Sequence, residues 1–332
     1  MLYVHGVGHF HPHTIIDNKF LADLDIGVDE EWILQRVGIR QRRTVLDPDY
    51  IRRTRNCDVR AAREASTHSN AQTGARAAEM ALARAKLTPG DIGLVIAGGC
   101  SPDNQIPADA CCIAAELGID APGFDINSAC SSFAVQLWML SNFRTERGPD
   151  FILVVNPDNN TRSVNYNDRR TSVLWGDAST AAIVSTRVVS PLRVDCRAPN
   201  SSPANWAKVR TPNGEHFDQE GHAVQAFAIR TMSSLLSDLR EQDDVIDDIY
   251  FIGHQANLLA LEAVRKRLNF PEENHWFNVD QFGNCGAAGA PSVLSQRWDT
   301  LRPGQTVLMA VVGAGLTWGS FRLQIHSGVC NA

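Results

Sequence analysis

The chain has 332 residues, of which 44% are hydrophobic and 20% are charged. This composition is typical of a folded globular protein and excludes wholesale disorder, collagen and coiled coil. Lys and Arg number 31 against 37 Asp and Glu, a formal net charge of −6, so no overall basic field draws the chain to nucleic acid or to an anionic membrane surface. We therefore expect neither nucleic acid nor membrane as a partner.

The sequence contains no charged N-terminal segment followed by an apolar run, and no stretch reaches the roughly 18 apolar residues that span a bilayer. The eight cysteines are scattered, without a CxxC pair or the Cys/His spacing of a zinc site. We expect a soluble cytoplasmic protein with reduced thiols.

Four histidines lie close together near the start of the chain, at His5, His9, His11 and His13. Imidazole is a common metal ligand, but no nearby cysteine or spaced carboxylate completes a ligand set. The sequence therefore predicts a strand and a turn that carry incidental histidines, and no metal site.

Strand-like and helical segments alternate along the chain, which predicts an α/β fold. In the first half we predict helices over 71–85, 108–117 and 131–143, strands over 92–97, 123–127 and 151–155, and paired strands over 172–185. In the second half we predict helices over 220–239, 257–268 and 285–298, and strands over 249–253, 275–279, 306–312 and 317–325. The highly charged segment 43–70 has no clear period, and we expect it to be an exposed excursion.

Two pairs of segments resemble each other within the chain. Gly-Phe-Asp-Ile-Asn before Cys130 is echoed by Trp-Phe-Asn-Val-Asp before Asn284, and Val-Leu-Trp-Gly-Asp at 173–177 by Leu-Thr-Trp-Gly-Ser at 316–320. We infer a duplication, with one half over residues 1–187 and the other over 188–332. It places Cys130 and Asn284 at corresponding strand-to-helix turns near the molecular centre.

Cys130 follows a predicted strand at the start of a predicted helix. The positive end of the helix dipole and the unpaired N–H groups lower the pKa of a thiol there, which favours a nucleophile. A buried, inert cysteine is the alternative, and the local sequence does not separate the two.

Two polar residues follow other predicted strands. His254 comes at the C-terminal end of one, where α/β folds gather ligand groups, although a lone histidine is more often structural. Asn284 follows another, among small residues that leave room beside it. The Gly-rich segment 313–319 is a weak phosphate-binding signal because it lacks a P-loop lysine.

The motifs Ser-Ala-Cys-Ser-Ser-Phe, Gly-His-Gln-Ala-Asn, Gln-Phe-Gly-Asn and Gly-Ala-Gly-Leu-Thr-Trp-Gly-Ser follow one another in the chain. With them, the sequence resembles the β-ketoacyl-acyl carrier protein synthase III family of condensing enzymes over essentially its whole length. The resemblance implies a thiolase-type fold, in which duplicated halves form a five-layered αβαβα core, and a homodimer. It also implies acyl-CoA and malonyl-type thioesters as substrates, an acyl carrier protein as partner, and no cofactor.

The resemblance gives the motifs their roles. Cys130 matches the acyl-accepting nucleophile, while His254 and Asn284 match the donors for decarboxylative condensation. The backbone N–H groups of Cys130 and Ala314 match the oxyanion hole, a type of site that acyl transfer requires. The residues matched to the acyl pocket are Ile106 and Val312.

Further residues match coenzyme A contacts of the family. Trp32 and Arg169 match an indole and an arginine that sandwich the adenine, and Arg36 matches a phosphate contact. Gly221 and Asn257 match contacts near the pantetheine arm. A surface tryptophan beside solvated arginines is the alternative. We expect an acidic carrier protein to dock on a basic patch formed by Arg265, Lys266 and Arg267.

Three residues depart from the family pattern. Ser132 replaces a glycine common two residues after the nucleophile, Leu259 replaces an arginine common in bacterial initiation enzymes, and Ile106 replaces an aromatic residue that limits primer size across the dimer. Together they favour a specialised condensing enzyme of fatty acid or polyketide-type metabolism.

Three functions compete. The leading one is an acyltransferase that loads an acyl group on Cys130 and then performs a decarboxylative Claisen condensation to a β-ketoacyl product. Enzymes of the same fold could instead pass the acyl group to an oxygen or nitrogen nucleophile, or condense head to head without decarboxylation. A non-catalytic subunit is the third, since fold alone does not prove activity. The presence of Asn284 with Cys130 and His254 favours the first.

Overall fold

The computed structural model describes residues 1–143, 148–240 and 248–327, so Cys330 lies outside the described residues. A ten-stranded mixed sheet dominates the fold, accompanied by two small two-stranded sheets. The strands of the described residues are β1 (Leu2–Phe10), β2 (Thr14–Asp17), β3 (Gln41–Thr44), β4 (Ile92–Ala97), β5 (Gly123–Asp125), β6 (Phe151–Asn159), β7 (Asp177–Ser185), β8 (Leu192–Cys196), β9 (Asn200–Ser201), β10 (Val209–Arg210), β11 (Asp218–Gln219), β12 (Ile249–Gly253), β13 (Thr306–Gly313) and β14 (Thr317–Ile325). The α-helices are α1 (Asn18–Ala22), α2 (Glu30–Val37), α3 (Pro48–Thr54), α4 (Val59–Glu64), α5 (Asn70–Ala85), α6 (Asp109–Leu117), α7 (Ser132–Ser141), α8 (Gly221–Arg240), α9 (Leu258–Arg267), α10 (Val279–Phe282) and α11 (Gly289–Arg297).

The order of the strands repeats. Strands β4 and β6 are parallel, and β6 with β7 and β7 with β1 are antiparallel. The same order recurs in the second set, where β12 and β13 are parallel, and β13 with β14 and β14 with β8 are antiparallel. The two sets join where β1 pairs with β8. This repeat supports the inferred duplication, while the division between residues 187 and 188 stays a prediction.

The central strands are buried on both faces. In β6, Ile152 and Val154 belong to one hydrophobic cluster, and Leu153 and Val155 belong to another. Alternate residues of β13 divide in the same way between two clusters. Strands that are buried on both faces have near-continuous apolar sequences, which is why the sequence predicts them well.

The helices form the layers around and between these strands. Helices α7 and α11 each contact strands of both sets and lie in the middle, while α5 and α6 cover one outer side and α8 and α9 the other. The result is the predicted α/β architecture of five αβαβα layers. Strands β4, β12 and β14 have the predicted bounds, and the predicted helices are present with ends shifted by a few residues.

Two strand predictions are wrong. Residues 172–185 contain one strand, β7, which pairs with β1 and β6 rather than with a neighbouring strand of its own. Residues 275–279 contain only a single bridge between His275 and Phe251, followed by helix α10. An apolar run indicates burial, but it does not specify which backbone partner is available.

The prediction of an exposed excursion over 43–70 is also wrong. Helices α3 and α4 lie there, each N-capped by an aspartate, Asp47 and Asp58, whose side chain accepts backbone N–H groups. Ile51 and Ala62 on these helices are fully buried. Each helix has about two turns, too few to reveal an apolar face among the many charged residues.

The N-terminal histidines lie on β1 and the turn after it, as predicted. Burial lowers the pKa of His9 to about 4 and that of His11 to about 3, so both rings are neutral at pH 7. His9 Nδ1 is 2.7 Å from Ser295 Oγ, and His11 stacks on Phe282 with ring centroids 3.8 Å apart. Within the described residues, no three His, Cys, Asp or Glu side chains come together as a metal site, and no helix is long and apolar enough to cross a membrane.

Strand β1 and helix α5 approach so closely that glycine is required between them. A Cβ atom on Gly8 would overlap the carbonyl oxygen of Ala77 and lie 2.6 Å from the backbone nitrogen of Ala81. We predict that Gly8→Ala lowers the free energy of unfolding by about 1–3 kcal/mol, measured by urea denaturation. In the control Gly90→Ala, the new Cβ is 3.8 Å from its nearest neighbour, so a change within about 0.5 kcal/mol is expected. Equal effects of the two substitutions would contradict the close approach.

Candidate active site

Cys130 lies on a strained turn between β5 and α7, as the sequence predicts. It occupies a 3₁₀ turn, Ala129–Ser131, immediately before the helix. Ala129 has φ of 47°, and its backbone N–H donates to Asn127 Oδ1 at 2.8 Å. Non-glycine residues in this left-handed region are costly and cluster at functional sites. The strain is thus located next to the one cysteine that the motif singles out.

A corresponding turn precedes α11. The backbone N–H of Gly286 donates to Asn284 Oδ1 at 3.0 Å, and Gly286 has φ of 57°. By this shared pattern Asn284 corresponds to Asn127, and Cys130 corresponds to Ala287. The duplication therefore matches the two turns as expected, although Cys130 and Asn284 occupy different positions within them.

The amide of Asn284 is held in one orientation. The backbone N–H of Asn284 donates to Leu174 O at 2.8 Å, and the backbone carbonyl of Asn284 accepts from Gly176 N–H at 3.1 Å. Because Oδ1 accepts the N–H of Gly286, the NH₂ group is the end that can donate to a ligand.

Cys130, His254 and Asn284 line one cavity of about 1030 Å³. Each of the three side chains is more than nine-tenths buried. The cavity also contains further residues that the resemblance singled out, namely Trp32, Arg36, Arg169, Gly221, Asn257, Val312 and Ala314. Tertiary structure thus brings together groups from both halves of the chain.

Four of the predicted residues lie elsewhere. Ile106 lines neither this cavity nor the smaller one beside it, and its side chain is 86% exposed. Any role for Ile106 in an acyl pocket therefore requires a second subunit. The basic residues Arg265, Lys266 and Arg267 lie at the far end of α9, whose N-cap Asn257 is at the cavity.

The guanidinium groups of two arginines lie close to the indole of Trp32. Asp29 caps α2 by accepting the backbone N–H of Trp32 at 2.7 Å, and Arg36 follows one turn later on the same face. The guanidinium carbons of Arg36 and Arg169 are 5.5 and 5.7 Å from the ring centroid, within cation–π range. Arg169 is oriented by a 3.0 Å hydrogen bond to Gly27 O.

The Gly-rich turn after β13 reaches the nucleophile turn. A Cβ atom on Gly313 would lie 2.8 Å from the backbone nitrogen of Ser131 and 2.9 Å from Ser128 O. Only glycine allows this approach, which places Ala314 with Cys130 in the lining of the cavity. The backbone N–H groups of these two residues are the proposed oxyanion donors.

A second cysteine, which the sequence analysis missed, contacts the nucleophile. Cys100 Sγ is 3.4 Å from Cys130 Sγ, and all described cysteines are free. The Cys100 thiol donates to the Cys130 sulfur and holds the pKa of Cys130 well below its usual range. Contact with His254 lowers it further, whereas burial acts in the opposite direction. The pKa of Cys100 is raised by the same contact, so Cys100 stays protonated as the donor.

Asp158, which the sequence analysis also missed, joins the loop after β4 to the turn before α11. Its carboxylate accepts the backbone N–H groups of Cys100 and Ala287, each at 2.6 Å. Burial raises the pKa of Asp158 to about 8 despite these hydrogen bonds. In the sequence, the one feature that indicates a functional role for Cys100 is its place just beyond the C-terminal end of β4, where α/β folds gather ligand groups. Asp158 lies inside strand β6, and its position in the sequence indicates no functional role.

We predict that Cys100→Ala moves the alkylation midpoint of Cys130 to higher pH by about one unit, because a hydrogen-bond donor to the thiolate is lost. The measurement is the rate of iodoacetamide labelling of the Cys130 peptide against pH, by mass spectrometry. Cys112→Ala is the matched control, since Cys112 lines neither cavity. An unchanged midpoint in the Cys100 variant would show that Cys100 does not set the pKa.

Comparisons with known proteins agree with this geometry. Residues 124–195 match the family described as 3-oxoacyl-[acyl-carrier-protein (ACP)] synthase III, and residues 239–325 match its C-terminal part. A β-ketoacyl-[acyl-carrier-protein] synthase III of Nitratidesulfovibrio vulgaris is 33% identical over 96% of both chains.

Solved structures give the same result. The 3-oxoacyl-[acyl-carrier-protein] synthase III of Aquifex aeolicus aligns with a TM-score of 0.85 at 26% identity, over 98% of this chain and all of that one. The priming β-ketosynthase of the R1128 polyketide pathway aligns at 0.82 and 25% identity, over 98% of this chain and 97% of that one. The fold is therefore the predicted thiolase-type fold, and the chain belongs to the β-ketoacyl-acyl carrier protein synthase III family.

Proposed function

We propose that this protein loads an acyl group on Cys130 and condenses it with a malonyl-type thioester to a β-ketoacyl product. The observation that carries the proposal is the meeting of Cys130, His254 and Asn284, from both halves of the chain, in the lining of one cavity. The family uses thioester substrates and needs no metal or other cofactor. Assignment to specialised rather than general metabolism stays a prediction.

The first half-reaction is acyl transfer. The Cys130 thiolate attacks the carbonyl carbon of an acyl thioester, and the tetrahedral oxyanion accepts hydrogen bonds from the N–H groups of Cys130 and Ala314. When the intermediate collapses, the bond from the carbonyl carbon to the sulfur of the carrier or coenzyme A breaks. That sulfur leaves as a thiolate, and the acyl group stays on Sγ. The lowered pKa of Cys130 supports this step because it favours the ionised form of the attacking sulfur.

The second half-reaction is decarboxylative condensation. His254 and Asn284 donate to the thioester oxygen of the malonyl group, so that negative charge can develop there when the carboxylate leaves as CO₂. The resulting enolate carbon attacks the acyl carbonyl on Cys130. Breaking the bond to Sγ releases the β-ketoacyl thioester and restores the thiolate.

The same cavity has groups suited to coenzyme A. The Trp32 indole offers a face for adenine, with Arg36 and Arg169 beside it for stacking and phosphate contact. Gly221 and Asn257 also line this cavity and would contact the pantetheine arm.

The proposed carrier-protein surface is smaller than the predicted basic patch. The Arg265 side chain is only 14% exposed, forms ion pairs with Glu262 and Glu272, and donates to Phe270 O. Arg265 therefore stabilises the end of α9, and we leave it out. Lys266 and Arg267 are exposed. They lie roughly 10 Å along α9 from Ala260, which lines the cavity.

We also propose a cytoplasmic homodimer. Strand β5 forms one edge of the large sheet, and its Phe124 is 42% exposed. An exposed edge with an apolar side chain is suited to pairing with a second copy. The exposed Ile106 would then reach the acyl pocket of the partner subunit, as the resemblance implies.

Variants of the two donors should separate the half-reactions. In Asn284→Ala and His254→Ala, we expect acyl-Cys130 to accumulate while CO₂ release from malonyl thioester falls by about 10²–10³, since one preorganised donor has roughly that effect. The measurements are intact mass for the acyl adduct and ¹⁴CO₂ from labelled malonyl thioester. Cys130→Ala is the control, and it should form no adduct.

Two outcomes would contradict this assignment. An Asn284→Ala variant that condenses at the wild-type rate would remove Asn284 from the mechanism. Wild-type acyl transfer to an alcohol or amine without CO₂ release would instead favour an acyltransferase.

Charge reversal should test the carrier surface. We predict that replacing Lys266 and Arg267 by Glu raises KM for a carrier-bound substrate several-fold, with a larger effect at low salt, because exposed charges are screened by ions. KM for the matching CoA substrate should change little. Equal effects on both substrates would place carrier docking elsewhere.

A further inference from the structure

The nucleophile has a second thiol in direct contact with it. Cys100 lies in the loop between β4 and α6, and its Sγ is 3.4 Å from Cys130 Sγ. Both cysteines are free. Because a disulfide has a sulfur–sulfur distance of about 2.0 Å, the two sulfurs need to approach each other by only about 1.4 Å to form one.

Backbone hydrogen bonds hold the two cysteines as neighbours. The N–H of Cys100 donates to Asp158 Oδ1 at 2.6 Å, and the turn around Cys130 is closed by the N–H of Ser131, which donates to Ser128 O at 3.0 Å. The short approach of the sulfurs therefore comes from rotation of the two side chains about their Cα–Cβ bonds, each of which carries Sγ along an arc.

Both sulfurs are accessible to small molecules. Cys100 and Cys130 line a second cavity of about 170 Å³, and Cys130 also lines the large cavity. A water molecule takes up about 30 Å³ in the liquid, so the small cavity has room for a molecule the size of hydrogen peroxide.

The two thiols differ in their ionisation, as oxidation of one and attack by the other require. The contact with Cys100 lowers the pKa of Cys130 and raises that of Cys100, so Cys130 is the thiolate and Cys100 keeps its proton. The thiolate is the form of cysteine that reacts with peroxides. Cys130 is therefore the sulfur that is oxidised first.

We propose that Cys100 and Cys130 form a reversible disulfide when a hydroperoxide enters the active site, with Cys100 as the resolving cysteine of the nucleophile. This inference goes beyond the proposed function, because it requires the Cys130 thiolate but no thioester. The disulfide blocks acyl loading, since its Cys130 sulfur is no longer free to attack.

The oxidation proceeds in two steps. The Cys130 thiolate attacks one oxygen of hydrogen peroxide, the O–O bond breaks, hydroxide leaves, and Cys130 becomes a sulfenic acid. Cys100 Sγ then attacks Cys130 Sγ, the S–O bond breaks, and the Cys100 proton leaves with the hydroxyl group as water. The two sulfurs together lose two electrons, which reduce the peroxide.

Cys100 decides whether the oxidation can be reversed. A dithiol such as dithiothreitol reduces a disulfide back to two thiols by exchange. A sulfenic acid without a neighbouring thiol is oxidised further to a sulfinic acid, which thiols do not reduce. Cys100 thus protects Cys130 from irreversible oxidation.

The test treats the full-length enzyme with hydrogen peroxide until iodoacetamide labels no free Cys130, and then maps the peptides by mass spectrometry. Cleavage before aspartate is needed, because Asp103, Asp109 and Asp125 separate Cys100 and Cys130 from each other and from the cysteines between them. We expect a linked pair of peptides that has lost two hydrogen atoms and contains Cys100 and Cys130. Dithiothreitol should restore labelling of Cys130.

A variant assigns the protection to Cys100. Cys100→Ser keeps a hydroxyl donor beside the Cys130 thiolate but removes the resolving sulfur. After complete oxidation, the fraction of Cys130 that dithiothreitol recovers should fall at least about fivefold, and Cys130 should carry a sulfinic or sulfonic acid. Cys112→Ala is the matched control, because Cys112 lines neither cavity, and it should recover as the wild type does.

The wild-type peptide map alone can overturn the inference, whether or not the variant folds. If wild-type Cys130 becomes a sulfinic acid without forming the linked peptides, the inference fails. It also fails if Cys100→Ser recovers as fully as the wild type. In both cases the proposed function stands, because it is tested by acyl loading and CO₂ release.

Discussion

The arrangement of the site depends on one buried carboxylate. Asp158, near the end of β6, accepts the backbone N–H of Cys100 with one oxygen and that of Ala287 with the other. Glycines stand on both sides, and a Cβ atom on Gly99 would come within 2.7 Å of this carboxylate. Asp158 therefore fixes the loop after β4 and the turn before α11 at once. These two segments come from different halves of the chain and border the nucleophile.

The layered fold explains why such a contact can exist. Helices α7 and α11 lie in the middle layer and contact strands from both halves, so the turns that precede them, with Cys130 and Asn284, meet at the centre. His254 follows β12 and Ala314 follows β13, which are parallel neighbours. The carboxyl ends of parallel strands open at the same edge of a sheet, and this edge forms the cavity.

The electrostatics of the site come from hydrogen bonds more than from charges. A thiol donor and an imidazole stabilise the Cys130 thiolate in a buried setting, where burial alone would raise its pKa. Arg36 and Arg169 lie beside the Trp32 indole in the lining of the large cavity. The reacting centre thus holds a thiolate among neutral hydrogen-bond donors, and the arginines beside Trp32 suit the proposed thioester, whose distal end carries phosphates.

Local sequence was sufficient for some features. The sequence predicts β4 and β12 with the observed bounds because strands buried on both faces are continuously apolar. It predicts β14 because polar and apolar residues alternate from Ser320 to Ile325. The repeated motifs around Cys130 and Asn284 indicate the duplication. The ordered motifs identified Cys130, His254 and Asn284 as the candidate site. The strand prediction over residues 275–279 is wrong because an apolar run does not specify a strand partner. Helices α3 and α4 are not predicted because two helical turns are too short to show a periodic apolar pattern.

Only the tertiary structure could reveal the remaining features, since each depends on contacts between distant segments. The Cys100 thiol meets Cys130 across 30 residues, and Asp158 meets Ala287 across 129; neither pairing leaves a local pattern. The sequence determined which residues carry the chemistry, whereas the packing of the two halves decided what surrounds them, because those contacts join segments that are distant in the chain.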